Sequence, residues 1–168
     1  MTAQDSSSSI AAFHSAARRR GGWLALAALA ATLVGGCGHL VILRDPLSAA
    51  EHNDLGVAYE RKGEHDLAAR EYQKALRIDS DFARARVNLG NVAAHRARWS
   101  EAERCYRRAL PHLPEDPDVR NNLAIALLQQ NRHLDEAERL ALEAVARAGA
   151  QDSLYQATLA DVRAARAR

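Results

Sequence analysis

The sequence predicts an all-α fold: a solenoid of about three helix-turn-helix repeats closed by a C-terminal capping helix. The first observation behind this is self-similarity. Leu55-Gly56 matches Leu89-Gly90, Ala68 matches Ala102, Tyr72 matches Tyr106 and Ala75 matches Ala109, every pair 34 residues apart. A fixed period of this size marks stacked supersecondary units. A third copy follows as Leu123-Ala124, Ala137, Ala141 and Ala144, with one extra residue in the turn near Asn131-Arg132-His133. The second observation is that each copy divides into two segments of helical apolar spacing around a short polar turn. In the first copy Leu55, Ala58 and Tyr59 share one face, and Ala68, Tyr72, Ala75 and Leu76 share another. The third is composition: alanine, leucine and arginine dominate and only 5% of residues are aromatic, which favours helix over strand.

The elements follow in order. Residues 1–17 are polar and aperiodic, and Arg18-Arg19-Arg20, Gly21-Gly22 and the 12-residue apolar run Trp23–Val34 come next. A basic stretch before an apolar run of that length is the anatomy of an export signal. Residues 1–36 therefore read as a signal peptide or N-terminal membrane anchor, and 37–48 as a tether. Helices are expected over 48–61, 65–78, 82–95, 99–112, 117–130, 134–148 and 152–166. They compose three repeats over 49–150 (49–82, 83–116 and 117–150) and a cap over 151–168. Gly63 falls in a turn where positive φ is cheap for glycine, and Pro114-Glu115-Asp116-Pro117 punctuates a join. Gly56 removes a side chain where two helices approach, and Tyr72 and Tyr106 fill the wider gaps. The cap, with Leu154, Tyr155, Leu159 and Val162, covers the apolar face that the last repeat would otherwise expose.

Charge and chemistry narrow the function. The chain holds 23 Lys+Arg and 21 Asp+Glu; without Arg18, Arg19, Arg20 and Asp5 the remainder balances at 20 each. A neutral domain lacks the footprint of a nucleic-acid binder. Two cysteines, Cys37 and Cys105, make no disulfide framework. His39, His52, His65, His95, His112 and His133 form no short-spaced zinc pair and read as exposed helix and turn residues. Cys105 reads as a small packing residue without a readable base. Glu136, Glu138 and Glu143 read as a solvated face, and Arg104, Arg107 and Arg108 as intrahelical partners of Glu101 and Glu103. The expectation is a protein that is not an enzyme, with no catalytic residue, cofactor, metal or small-molecule substrate.

Two resemblances sharpen this. Val34-Gly35-Gly36-Cys37 resembles the lipobox of bacterial lipoproteins, which implies that Cys37 is diacylated on sulfur and becomes the mature N-terminus. Acyl chains at about 0.8 kcal/mol per buried CH₂ hold such a protein on a membrane. An uncleaved anchor stays open, because Trp23–Leu43 offers 21 residues without formal charge. Either way the three arginines stay inside and the repeats face the periplasm. Gly38 differs from the aspartate that, by the same resemblance, retains lipoproteins in the inner membrane, so the outer membrane is preferred.

The 34-residue copies resemble the tetratricopeptide repeat. Tyr59 fills its first aromatic slot and Pro114 its proline slot, whereas His52 and Arg86 stand where its leading tryptophan would, and Ala93 and Leu127 replace its tyrosine. The resemblance implies that the first helix of each pair lines a concave groove that binds another protein or peptide segment. The residues it places there include Asn53, Val57, Glu60 and Arg61; Arg84, Val87, Asn88, Asn91 and His95; and Asp118, Asn121, Asn122, Ile125 and Gln129. An asparagine amide donates and accepts together, so it can grip a peptide backbone. The family's clamp for a C-terminal carboxylate needs cations; here Asn53, Val57, Asp118 and Asn122 occupy those slots, which argues against that activity. The alternative is a pilotin-like structural subunit of a pilus or secretion system, binding through its convex face or end helix.

Overall fold

The structure, a computed structural model, describes residues 45–149 and 152–168. Residues 1–36, read from the sequence as a signal peptide or anchor, Cys37 and most of the expected tether lie outside the described residues. Seven α-helices follow one another among the described residues: α1 (Ala49–Arg61), α2 (His65–Ile78), α3 (Ala83–His95), α4 (Trp99–Ala109), α5 (Pro117–Gln129), α6 (Leu134–Ala148) and α7 (Ser153–Arg166). A 3₁₀ turn, Leu110–His112, extends α4. Sequential helices pack as antiparallel neighbours, and α7 contacts both α6 and α5. None of these helices is long and apolar enough to cross a membrane.

Local chemistry sets the boundaries. Ser48 caps α1 in a reciprocal box with Glu51, each satisfying a backbone donor of the first turn. Asp116 caps α5, with Pro117 at the first helical position, and Asp152 caps α7. The turns inside the repeats need a left-handed residue, and Gly63, Ala97 and Asn131, spaced 34 apart, fill that position with φ of 76°, 55° and 48°. Glycine and asparagine adopt it readily; alanine pays a steric penalty there. The extra residue of the third copy is absorbed by a second left-handed residue, His133, just before α6.

The glycines carry the packing. A Cβ on Gly56 would lie 2.4 Å from Cε1 of Tyr72, and one on Gly90 would lie 2.7 Å from Cε1 of Tyr106. Each tyrosine ring of a second helix thus presses against the backbone of the first. Both rings are fully buried, as are Ala68, Ala75, Ala102 and Ala109 around them. In the third repeat both members of the pair change together: Ala124 stands for the glycine and Ala141 for the tyrosine. Leu123, Leu127 and Leu140 join them in the core. The volume moved onto one helix is removed from the other, so density is kept.

Polar groups fill the slot from which tryptophan is missing. His52 is 1% exposed; its Nδ1 lies 2.7 Å from Glu71 on α2, and its Nε2 lies 3.2 Å from Asp45. This corrects the expectation of an exposed helix histidine. Arg120, 34 residues beyond Arg86, is 6% exposed and donates from Nε to Glu143 on α6 at 3.0 Å. Burial pushes the Glu71 carboxyl up, but hydrogen bonds from Lys74 and His52 outweigh it and hold it below its usual range.

The glutamates read as a solvated face are in fact ties between helices. Arg107 does pair with Glu103 within α4 at 3.0 Å, yet it also grips Glu136 of α6 through two nitrogens at 2.6 and 2.7 Å. Glu103 is buried and also accepts from Gln130 and Arg132, pinning the α5–α6 turn onto α4. Glu138 receives Arg163 at 2.8 Å and also Arg166, fastening the cap.

Replacing Ala97 by glycine relieves the left-handed strain and should raise stability by about 0.5–1 kcal/mol in urea unfolding; no gain would remove the strain argument. Gly90→Ala should cost about 1–3 kcal/mol and Tyr106→Ala about 3 kcal/mol or more. The double variant, which recreates the pairing of the third repeat, should cost clearly less than their sum. Strict additivity in that cycle would show that the two positions do not share one space.

Candidate functional site

The first helices of the repeats, α1, α3 and α5, present the face on which the sequence places a groove. Between α3 and α5 lies a cavity of about 320 Å³ lined by Arg84, Val87, Asn88, Asn91 and Asn122, with Leu113, Asp116 and Asp118 from the α4–α5 connection and the start of α5. Beside it is a second, of about 420 Å³, sharing Asn91 and Asn122 and adding Ala94, His95, Trp99, Tyr106 and Ile125. Five of the eight candidate groove residues, Arg84, Asn88, Asn91, His95 and Asn122, therefore line one continuous pair of hollows.

The other three sit elsewhere. Val57 is half-buried against the core of the first two repeats. Asn53 is 5% exposed, and its Oδ1 accepts from Asn88 Nδ2 at 2.9 Å. It orients a groove residue rather than lining the groove itself. Asn121 is 3% exposed, and its Oδ1 has no hydrogen-bond partner. The reason is helical phase: Asn121 precedes Asn122 by one residue, about 100° around the helix, which turns it into the packing between helices.

The remaining asparagines interlock. Asn91 Oδ1 accepts from Tyr106 Oη at 2.9 Å and from Asn122 Nδ2 at 3.2 Å. With Asn88 held by Asn53, three amide atoms have no partner among the described residues: the acceptors Asn88 Oδ1 and Asn122 Oδ1 and the donor Asn91 Nδ2. A peptide backbone presents complementary donors and acceptors in alternation.

Sequence reasoning missed the hydroxyls. Because Gly56 and Gly90 let the rings lie against the first helices, the tyrosine hydroxyls emerge beyond them. There Tyr72 Oη bonds Glu60, and Tyr106 Oη bonds Asn91. Burial pushes both phenols up, so both remain donors. The third repeat has no such tyrosine, but Tyr155 of the cap reaches back to donate to Asp118 Oδ1 at 2.7 Å. The only sequence signal for these was a tyrosine at a position where size alone would admit phenylalanine.

His95 stacks on His65 of α2 with ring centroids 4.2 Å apart. Among the described residues no group of His, Cys, Asp or Glu is arranged to hold a metal ion. Cys105 is half-buried, and burial, followed by the charge of Glu101, pushes its thiol up. That is the opposite of what activates a nucleophilic thiolate.

A family profile described as "TPR repeat" matches residues 56–94, and one described as "Tetratricopeptide repeat" matches 87–153. The type IV pilus assembly protein PilF of Pseudomonas aeruginosa is 37% identical over 93 residues, covering 52% of this chain and 36% of that protein. The protein O-mannosyl-transferase Tmtc3 of Drosophila melanogaster is 29% identical over 112 residues, 58% of this chain and 12% of that one. The chain thus spans about a tenth to a third of the length of these relatives. Among solved structures, the first TPR of Spaghetti (RPAP3) bound to the HSP90 peptide SRMEEVD superposes with a TM-score of 0.67 at 17% identity, covering 76% of this chain and 99% of that one. YrrB, described as a TPR protein with an unusual peptide-binding site, gives 0.62 at 23% identity, covering 66% and 56%.

The burial of Asn121 makes a separable expectation. Asn121→Leu keeps the side-chain shape and removes an unpaired buried acceptor. It should leave stability unchanged or raise it by up to about 1 kcal/mol in thermal unfolding. A large loss would mean that the amide has a partner after all.

Proposed function

Residues 56–153 carry tetratricopeptide repeats, and from that premise we propose that the protein is a non-enzymatic adaptor that binds an extended segment of another protein in the hollows between α3 and α5. The observation that carries this is the set of unpaired amide atoms on Asn88, Asn91 and Asn122, which line one cavity. Their orientation is fixed by Asn53, Tyr106 and one another. Amides held in advance lose little freedom on binding, and they recognise a backbone whatever its sequence. Solved neighbours described as peptide-bound, or as having a peptide-binding site, support the same use of the fold.

The reading extends to place. The basic segment, apolar run and Val34-Gly35-Gly36-Cys37 support attachment to a membrane through lipid on Cys37, with the repeats in the periplasm and the outer membrane preferred. The adaptor would then hold its partner at the cell envelope.

A second reading has its own observation. The similarity to a pilus assembly protein favours a structural subunit of an envelope machine that binds through its convex face or end helix. On that side Leu142 of α6 and Leu154 of α7 are 43% and 59% exposed.

Fluorescence anisotropy with a labelled pool of degenerate dodecapeptides tests the groove. Asn88→Ala and Asn122→Ala should each weaken binding about fivefold, the value of one net hydrogen bond. Gln73→Ala, on the exposed face of α2, should leave it unchanged. The reverse pattern would favour the second reading. For the anchor, intact mass and membrane fractionation of wild type beside Cys37→Ser should show loss of residues 1–36 and gain of acyl mass, both abolished by the substitution. An unmodified full-length mass in both would point to an uncleaved helix.

A further inference from the structure

The cavity between α3 and α5 holds opposite charges that the protein does not use on each other. Arg84 of α3 is exposed, and among the described residues it makes no hydrogen bond or ion pair. Asp118 of α5 accepts a hydrogen bond from Tyr155 and meets no cation within ion-pair distance among the described residues. Both border the same hollow, whose walls include Val87 and Leu113. Arg107, Arg120, Arg163 and Arg166 differ in being paired across helices.

The neighbouring Asp116 is committed elsewhere. Its Oδ1 accepts from the backbone of Asp118 at 2.9 Å and of Val119 at 3.4 Å, closing the first turn of α5. Asp118 is held differently, by a side chain from the cap. Donating that bond to Asp118, followed by burial, pushes the Tyr155 phenol up to about 12. Tyr155 therefore stays a donor across the physiological range and fixes the Asp118 carboxylate. Tyr155 is a positioning residue for the groove.

We infer that this cavity selects peptide segments carrying a basic and an acidic side chain close together, the base directed to Asp118 and the acid to Arg84. The inference rests on the groove reading above. The asparagines would grip any backbone, so selection falls to the side chains that the cavity accepts. A segment of mixed charge makes a charge-assisted hydrogen bond at each end. A segment of one sign gains one contact and meets repulsion at the other, and a neutral one gains neither.

The test uses the full chain in detergent and three labelled dodecapeptide pools, degenerate except at the centre, which is Glu-x-Lys, Gln-x-Gln or Glu-x-Glu. At low salt the Glu-x-Lys pool should bind about fivefold tighter than Gln-x-Gln, as expected for two partly exposed charge pairs, and Glu-x-Glu should gain nothing. The advantage should shrink as salt is raised. It should vanish in Asp118→Asn and in Arg84→Gln and fall in Tyr155→Phe, whereas Gln73→Ala, outside the groove, should leave it intact. Equal binding of the pools, or a preference that survives both charge removals, overturns the inference. If the pools bind equally and Asn88→Ala weakens binding, the groove reading stands alone. If none binds wild type, both fall.

Discussion

The approach of a tyrosine ring to a bare glycine backbone is the contact on which the rest of the domain depends. At Gly56 and Gly90 there is no room for even one methyl group beside Tyr72 and Tyr106. This lets the two helices of a repeat close, buries the largest side chains of the core and sets the phase of every other residue on α1 and α3. It also delivers the tyrosine hydroxyls to the far side, where they fasten Glu60 and Asn91. Core and groove are therefore parts of one device: the side chain that fills the gap also orients the amide that faces the partner.

The third repeat shows that the constraint is on shared volume rather than on residue identity. Ala124 and Ala141 replace the pair, and leucines complete the layer. With no tyrosine to reach through, α5 takes its hydroxyl from the cap instead, at Asp118. The cap thus covers the open end of the stack and also finishes the groove. A similar economy operates at the vacant tryptophan slot, where His52 and Arg120 are buried yet matched by carboxylates on the following helix. Buried charge is tolerable only with such a partner.

Much of this was legible in the sequence. The 34-residue spacing placed every helix to within about one residue, apart from α4. There the stretch read as continuous to 112 tightens into a 3₁₀ turn from Leu110, next to Pro111. The glycine–tyrosine pairing and the turn glycine were also readable, because each answers a local steric demand. What escaped were interactions between residues distant in sequence. Nothing in Glu136, Glu138 or Glu143 alone says that an arginine some 20 to 30 positions away will meet it. His52 looked exposed because its partners, Asp45 and Glu71, lie on either side of it in the chain. Of the residues that the resemblance to the repeat family assigned to a groove, Arg84, Asn88, Asn91, His95 and Asn122 line the two hollows. Asn121 is buried because adjacent residues on a helix face different ways, and Asn53 is buried where its amide meets Asn88.

The central claim is that the face bearing Asn88, Asn91 and Asn122 is the one that meets the partner. The most direct measurement introduces a photo-crosslinking amino acid in cells, at Ile125 in the groove and, separately, at Gln73 on the opposite helix layer. The account predicts a discrete adduct from position 125 that disappears when Asn88 is alanine, and none from position 73. An adduct from position 73 alone, or one from position 125 indifferent to Asn88, would contradict it.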